Sequence, residues 1–281
     1  MTQRRSVPCR LIIHADDLGA SAEITQGVLR AMEAGVVTSA SIMTNMPGTE
    51  QALVEAAARG RRASFGVHLN LCEGFPLTDA RTLRQRSGRF FPKRALALKA
   101  CLGGLDPAEL EAELSAQVQR ASAAGVAISH LDSHKHLHQL PVVRDVIPRV
   151  AQRYRIDRVR CTVNGSLPGP RLHLSRTMLR ALRSYLARQA RRRFQAAGLR
   201  GPDRVIDLSD LMELPGPAAR IAALRHPGTV TEMFCHPGSE KADGDRASGV
   251  HRSAELQFLL STEFQGLLHE AEVELVTYWI C

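Results

Sequence analysis

At 281 residues, 44% hydrophobic and 23% charged, the chain has the size and composition of a globular protein that can bury a large core, which excludes a disordered or fibrous one. No apolar run reaches about 18 residues, so no transmembrane helix is expected, and the apolar stretch after the basic MTQRR start is too short for a secretory signal. The net charge of +9 sits in one place: residues 171–200 contain nine arginines and no acid, and the rest of the chain is balanced.

Strand-like and helix-like runs alternate along the chain. Residues 9–15 (CRLIIHA) read as a strand and 22–34 as an amphipathic helix stopped by Gly35; 36–44 (VVTSASIMT) is a second strand, 49–60 a helix and 63–71 (ASFGVHLNL) a third strand. A loop-rich stretch, 72–105, precedes a helix over 106–124 that opens on Asp106-Pro107, a good cap and first-turn pair. Strand 126–131 (VAISHL), helix 141–153 and a short strand 156–161 follow. Beyond the arginine-rich helix come strand 204–208, helix 215–225, strand 229–234 (TVTEMF), helix 252–269 and a last strand 273–280. Strict alternation implies an α/β fold with a mainly parallel sheet, and seven or eight such units suit a (β/α) barrel better than an open sheet. With no repeat, low-complexity tract or linker in view, one domain is expected. The six cysteines (9, 72, 101, 161, 235 and 281) form no CxxC pair and read as reduced thiols of a cytoplasmic protein.

In a barrel, chemistry collects at the C-terminal ends of strands, and four strands obey this. The first ends in His14-Ala15-Asp16-Asp17, the third carries His68, the fourth runs into HLDSHKHLH, and a late strand ends in TEMFCHPG with His236. Carboxylates and imidazoles converging from separate strands make a ligand set for Zn²⁺ or Mg²⁺. A lone His68 is more often a hydrogen-bonded structural residue, and adjacent aspartates more often cap a turn. Four histidines in nine residues (His130, His134, His136 and His138) around Asp132 have little structural use and favour metal binding. Successive residues of a strand point to opposite sides, but where the strand turns into a loop both Asp16 and Asp17 can face one cavity, and a cation offsets their repulsion. GxGxxG, P-loop, HExxH and GxSxG patterns are absent, which removes the simplest nucleotide, metalloprotease and serine-hydrolase readings.

Together, ADDLG, GVHLN, SHLDSHKHLH and CHPG resemble the YdjC-like family of carbohydrate deacetylases, which includes diacetylchitobiose, chitooligosaccharide and hopanoid-associated deacetylases. The four motifs span residues 14–238 in the family's order; VVTSASIMTN and HRSAEL (251–256) are further family-like pieces. The resemblance implies a distorted (β/α) barrel of the glycoside hydrolase/deacetylase type, as a single domain over residues 1–281. It implies one divalent metal ion, Mg²⁺ or Zn²⁺, on Asp17, His68 and His134, with Asp16 as catalytic base and His236 as general acid. The implied reaction removes an N-acetyl group from an amino sugar, either an oligosaccharide or a lipid-linked glycoside. Asp132 is placed to orient a ligand imidazole from behind. His136 and His138 either face substrate, stand behind the ligands, or make structural hydrogen bonds, and His14 reads as structural. Leu18 and His14 depart from the family's usual residues and bear on substrate identity.

Two other classes stay open: a metal-dependent phosphodiesterase, and a non-catalytic metal- or sugar-binding protein of the same fold. A retaining glycosidase needs carboxylates about 5–5.5 Å apart across the sugar bond, which neighbouring backbone positions rarely supply. Residues 175–197 place Met178, Leu182, Tyr185/Leu186 and Phe194 on one helical face. That segment reads as a solvated helix on the barrel, or as a contact with anionic lipid or a phosphate-bearing glycan carrier at the inner membrane face. With 4% aromatic residues there is no stacking platform, so no nucleic-acid partner is expected; a homodimer is allowed.

Overall fold

The computed structural model describes residues 7–160, 174–244 and 251–281. Its elements are β1 (Cys9–Leu18), α1 (Ala22–Glu33), β2 (Ser39–Ile42), α2 (Thr49–Arg59), β3 (Ser64–Leu69), α3 (Lys93–Cys101), α4 (Pro107–Ala123), β4 (Ile128–Ser133), α5 (Val143–Arg153), α6 (Leu174–Ala196), β5 (Arg204–Asp207), α7 (Leu208–Met212), α8 (Gly216–Leu224), β6 (Val230–Cys235), α9 (Arg252–Leu259), α10 (Thr262–Glu270) and β7 (Val273–Leu275). All strand pairs are parallel, in the order β4-β3-β2-β1-β6-β5, with β7 also on β1. The central strand β1 is buried along almost its whole length because helices cover one face and the barrel interior the other.

Among the described residues the ladder does not close. Beyond β4 the chain returns as residues 157–160, held by isolated bridges from Val159 to Leu131 and from Arg158 to Arg200, four residues before β5. These single bridges reach from β4 to the segment just before β5, so the expected distorted (β/α) barrel is present as an incompletely closed one. The strand expected at 156–161 is therefore a pair of bridges over its described part, and Cys161 lies outside the described residues.

Local chemistry explains where elements start and stop. Ser21 Oγ accepts the Ile24 N–H at the start of α1, and Asp106 accepts the Ala108 N–H at the start of α4, with Pro107 as its first residue. The helix expected over 252–269 is two helices, because Ser261 caps a new one by accepting the Phe264 N–H. The loop-rich 72–105 stretch contains α3, whose KRALALKAC sequence alternates like a strand while Leu96 and Ala100, four residues apart, are its buried contacts. The last strand is shorter than its apolar run suggests, since residues 278–280 form a 3₁₀ turn that drives Tyr278 into the interior.

On α6 the packed face is Leu186, Ala187, Ala190 and Phe194, while Leu182 and Tyr185 are exposed. The expected single apolar face is thus split; the Met178 side chain and residues 171–173 lie outside the described residues. No helix among the described residues is long and apolar enough to cross a membrane.

Candidate active site

The two aspartates are aimed by a bulge. Pairing with β2 runs His14–Ser39 and Ala15–Ala40 but then Leu18–Ile42, so β1 carries one extra residue at this point. Asp17 absorbs it with φ 64°, a left-handed conformation that Asp tolerates better than most residues. Both carboxylates then face the same interior point instead of opposite sides of the sheet.

Asp17 Oδ1 lies 2.8 Å from His134 Nδ1 and 3.4 Å from His68 Nε2, and its Oδ2 accepts from Arg252 Nη2 at 2.6 Å. Asp17, His68 and His134, all buried, each offer a donor atom within 4.8 Å of one another. His68 is fixed from behind: its Nδ1 lies 2.9 Å from Asp132 Oδ1 and 2.9 Å from Ser41 Oγ, which leaves Nε2 facing Asp17. This carboxylate–imidazole backing sets a ligand tautomer and orientation, and one carboxylate plus two imidazoles fit a divalent ion that prefers nitrogen-rich donors. Burial pulls the His68 ring down, but Asp132 and Asp16 outweigh it and raise it to about 10. Burial also opposes the charge on His134, which Asp17 nevertheless raises, and Asp17 itself is held well below the carboxylate range by His134 and His68.

Asp16 is held differently. Arg160, completely buried, donates Nη1 to Asp16 Oδ2 at 2.9 Å and Nη2 to Oδ1 at 2.6 Å, a bidentate pair. The same guanidinium donates Nε to Glu232 Oε1 at 2.8 Å and approaches Asp132 Oδ2 at 3.1 Å. Tyr278 Oη donates to Glu232 Oε2 at 2.5 Å. Burial raises Asp16, but Arg160 and then His68 outweigh it, so its carboxyl stays ionised far below neutrality. Asp16 Oδ2 sits 3.9 Å from His68 Nε2 and 4.0 Å from His236 Nε2, between the candidate ligands and the candidate acid. His236 is lowered by burial and raised by Glu255 and Asp16, ending at about 9.

The structure therefore brings Asp16, Asp17, His68, His134, His236 and Asp132 into one cluster. Of the four histidines in HLDSHKHLH, His134 reaches Asp17, and His130 offers a ring nitrogen within 4.8 Å of Asp132 and His14. His130 stacks on Tyr278 at 3.6 Å between ring centres. His138 places Nδ1 2.7 Å from Ser133 Oγ and packs on Phe194, a structural setting behind the site. His136 sits edge-on to Phe234 and lines a cavity of about 390 Å³ between α3 and α6 that also reaches Lys93, Arg183 and Asp207. His14 places its ring nitrogens 2.8 Å from Ser39 Oγ and 3.1 Å from Ser41 Oγ, with Nε2 also 3.4 Å from Asp16 Oδ1 and 3.5 Å from Asp132 Oδ2, and Leu18 is core.

Sequence reasoning missed Arg160, Glu232, Glu73 and Tyr278, and noted Arg252 and Glu255 only inside a motif. Glu73 Oε1 lies 3.0 Å from His134 Nε2 and pairs with Lys135. A glutamate inside the apolar VTEMFC strand was a readable signal of a buried partner. Arg160, one arginine among many, gave no such signal.

Fold and site define a parallel α/β barrel with a carboxylate–imidazole centre at the C-terminal mouth of its strands. The chain belongs to the YdjC-like family: the model described as YdjC-like protein matches residues 10–270. A carbohydrate deacetylase of Brevibacillus brevis is 30% identical over 272 residues, 96% of this chain and 98% of that protein. A carbohydrate deacetylase of Geobacillus stearothermophilus is 39% identical over 150 residues, which are 53% of this chain and 59% of that protein. The fold matches the crystal structure of a candidate cellobiose-phosphate cleavage protein from Enterococcus faecalis, with TM-score 0.73 and 21% identity over 96% of this chain and 98% of that one.

Proposed function

We propose that this protein is a metal-dependent carbohydrate N-deacetylase that hydrolyses the N-acetyl group of an acetylated amino sugar. The observation that carries the reading is the bulge that turns two successive aspartates onto one point, Asp17 toward His68 and His134, Asp16 toward His236. The relatives named carbohydrate deacetylase support it.

Asp17, His68 and His134 would hold the ion, and the two imidazoles favour Zn²⁺ over Mg²⁺. Such an ion supplies an acidified water and a polarised acetamide carbonyl. Asp16 takes the proton of the attacking water, and Arg160 fixes the direction of its lone pairs while keeping it ionised. His236, as imidazolium, gives its Nε2 proton to the leaving amine, which cannot depart as an amide anion. The cavity beside His136 and Phe234 is where we seat the sugar. Exposed Leu182 and Tyr185 on the arginine-rich α6 are the surface we assign to an anionic lipid contact, and salt-sensitive sedimentation with anionic vesicles tests that assignment.

The deciding experiment measures acetate released from N-acetylated chitooligosaccharides and N-acetylated glycolipids, before and after chelation and with Zn²⁺ or Mg²⁺ restored. Loss on chelation and recovery with one ion is expected. Sugar binding without acetate release under any ion, or hydrolysis of phosphodiesters instead, would overturn the reading.

A further inference from the structure

The reaction as described uses nothing from α9, yet this helix touches both halves of the site. Its first residue, Arg252, donates Nη2 to Asp17 Oδ2 at 2.6 Å and accepts the Gly238 N–H on its own carbonyl at 3.2 Å. Glu255 is 2% exposed; its Oε2 accepts the His236 main-chain N–H at 2.5 Å and its Oε1 lies 3.7 Å from His236 Nδ1. A buried carboxylate is costly unless it is paired, and His236 is the partner Glu255 has.

Resting on the deacetylase reading, we propose that Glu255 is the positioning residue that keeps His236 in its acid form, and that Arg252 locks α9 against Asp17 so that one helix aligns acid and metal centre. At 3.7 Å the Glu255 carboxylate is too far for a hydrogen bond to the ring and acts through charge. It favours a proton on Nδ1, so that Nε2, 4.0 Å from Asp16, is the nitrogen that delivers one to substrate.

Three other carboxylates stand around His236. Asp16 on β1 and Asp17 add their charge to that of Glu255 while being gripped by Arg160 and Arg252, and Asp207 at the end of β5, which offers an oxygen within 4.8 Å of His236 and Glu255, caps α7 by accepting the Ser209 N–H at 3.0 Å. Phe234 meets the ring edge-on and supplies no charge. The loop bearing His236 is itself wedged. A Cβ on Gly27 of α1 would stand 2.3 Å from Gly238 Cα, and one on Gly238 would stand 3.0 Å from the Arg252 side chain. Glu255 therefore meets His236 at a fixed position.

The test follows the His236 ring by NMR titration and, in parallel, kcat/KM against pH, in wild type, Glu255→Gln and Glu255→Asp. Gln keeps the acceptor for the main-chain N–H and removes only the charge. In wild type both readouts should break above the ordinary imidazole value near 6.5. In Glu255→Gln both should move down by about one pH unit or more, with Glu255→Asp between the two. An activated aryl acetate, whose phenolate leaves without a proton, should lose much less in Glu255→Gln than the amide does. An unmoved His236 titration, or equal loss on amide and ester, overturns the assignment. A wild type that releases no acetate from amides overturns the deacetylase reading alone, because the NMR arm still decides the Glu255–His236 pairing.

Discussion

Replacing Asp132 by Asn is the sharpest probe of the proposed metal centre, because it changes one buried atom and its charge. Asp132 is fully buried opposite His68 in the β3–β4 register, with Oδ1 2.9 Å from His68 Nδ1 and Oδ2 accepting from Ser41 at 2.9 Å beside Arg160 Nη2 at 3.1 Å. The amide cannot satisfy both sides. If its NH₂ faces His68, Nδ1 becomes an acceptor and the proton moves to Nε2, the atom that must bind the ion. If its oxygen faces His68, the NH₂ is turned toward Arg160, donor against donor. Loss of such a backing carboxylate typically weakens metal affinity about 10–100-fold, or about 1.4–2.8 kcal/mol. Competition against a chromophoric chelator at neutral pH, with circular dichroism to confirm folding, gives the number. A folded Asp132→Asn protein that binds Zn²⁺ as tightly as wild type would refute the orienting role.

Asp16→Asn should retain the ion and lose about 10²–10⁴-fold in turnover, whereas His68→Ala should lose the ion itself; metal analysis beside acetate release separates them, and equal metal loss in both sinks the division of roles. Gly27→Ala should lower the melting temperature, because overpacking typically costs about 1–3 kcal/mol and the new Cβ meets rigid Gly238 backbone at 2.3–2.7 Å. At an open helical position the same change would stabilise by about 1 kcal/mol, so a raised melting temperature would show that the loop is not wedged against α1.

The site was legible where polarity breaks a strong pattern. An apolar run ending in HADD and a strand ending in GVHLN are local contradictions, and barrel geometry says what such contradictions at strand ends are for. The helix 106–124 and the strand order's parallel character came from capping and alternation in the same way. What stayed hidden depends on contacts across the fold. Arg160 sits in a stretch paired only through single bridges, so no periodicity marks its inward direction, and its partners Asp16, Asp132 and Glu232 come from three other strands. Dense histidine spacing pointed to all of HLDSHKHLH, but Lys135 and His136 adopt positive φ, and the chain turns so that His134 alone reaches Asp17. Spacing in sequence cannot announce such a turn.

On the proposed reading, the buried charges let a divalent ion and protons stand in for one another. Asp16, Asp17, Asp132 and Glu232 bring four negative charges, and Arg160 and Arg252 bring two positive ones, leaving two to be supplied. Without an ion the raised His68 ring supplies one of them as an imidazolium, and Asp17 pushes His134 in the same direction. An ion requires both rings unprotonated, so its two positive charges replace whatever protons the rings carry. Metal binding at neutral pH should therefore release protons, at least the one on His68, read from titration calorimetry in buffers of different ionisation enthalpy. The sign for stability follows. A raised imidazole contributes stability fully present below its unfolded value near 6.5 and lost as pH rises, for His68 through about 10. Across that window the metal-free protein should weaken, while the loaded protein, which needs no such protons, should not. The melting-temperature gain on adding Zn²⁺ should accordingly grow with pH; a gain that stays flat, or binding without proton release, would mean that these rings do not hold the site's charge.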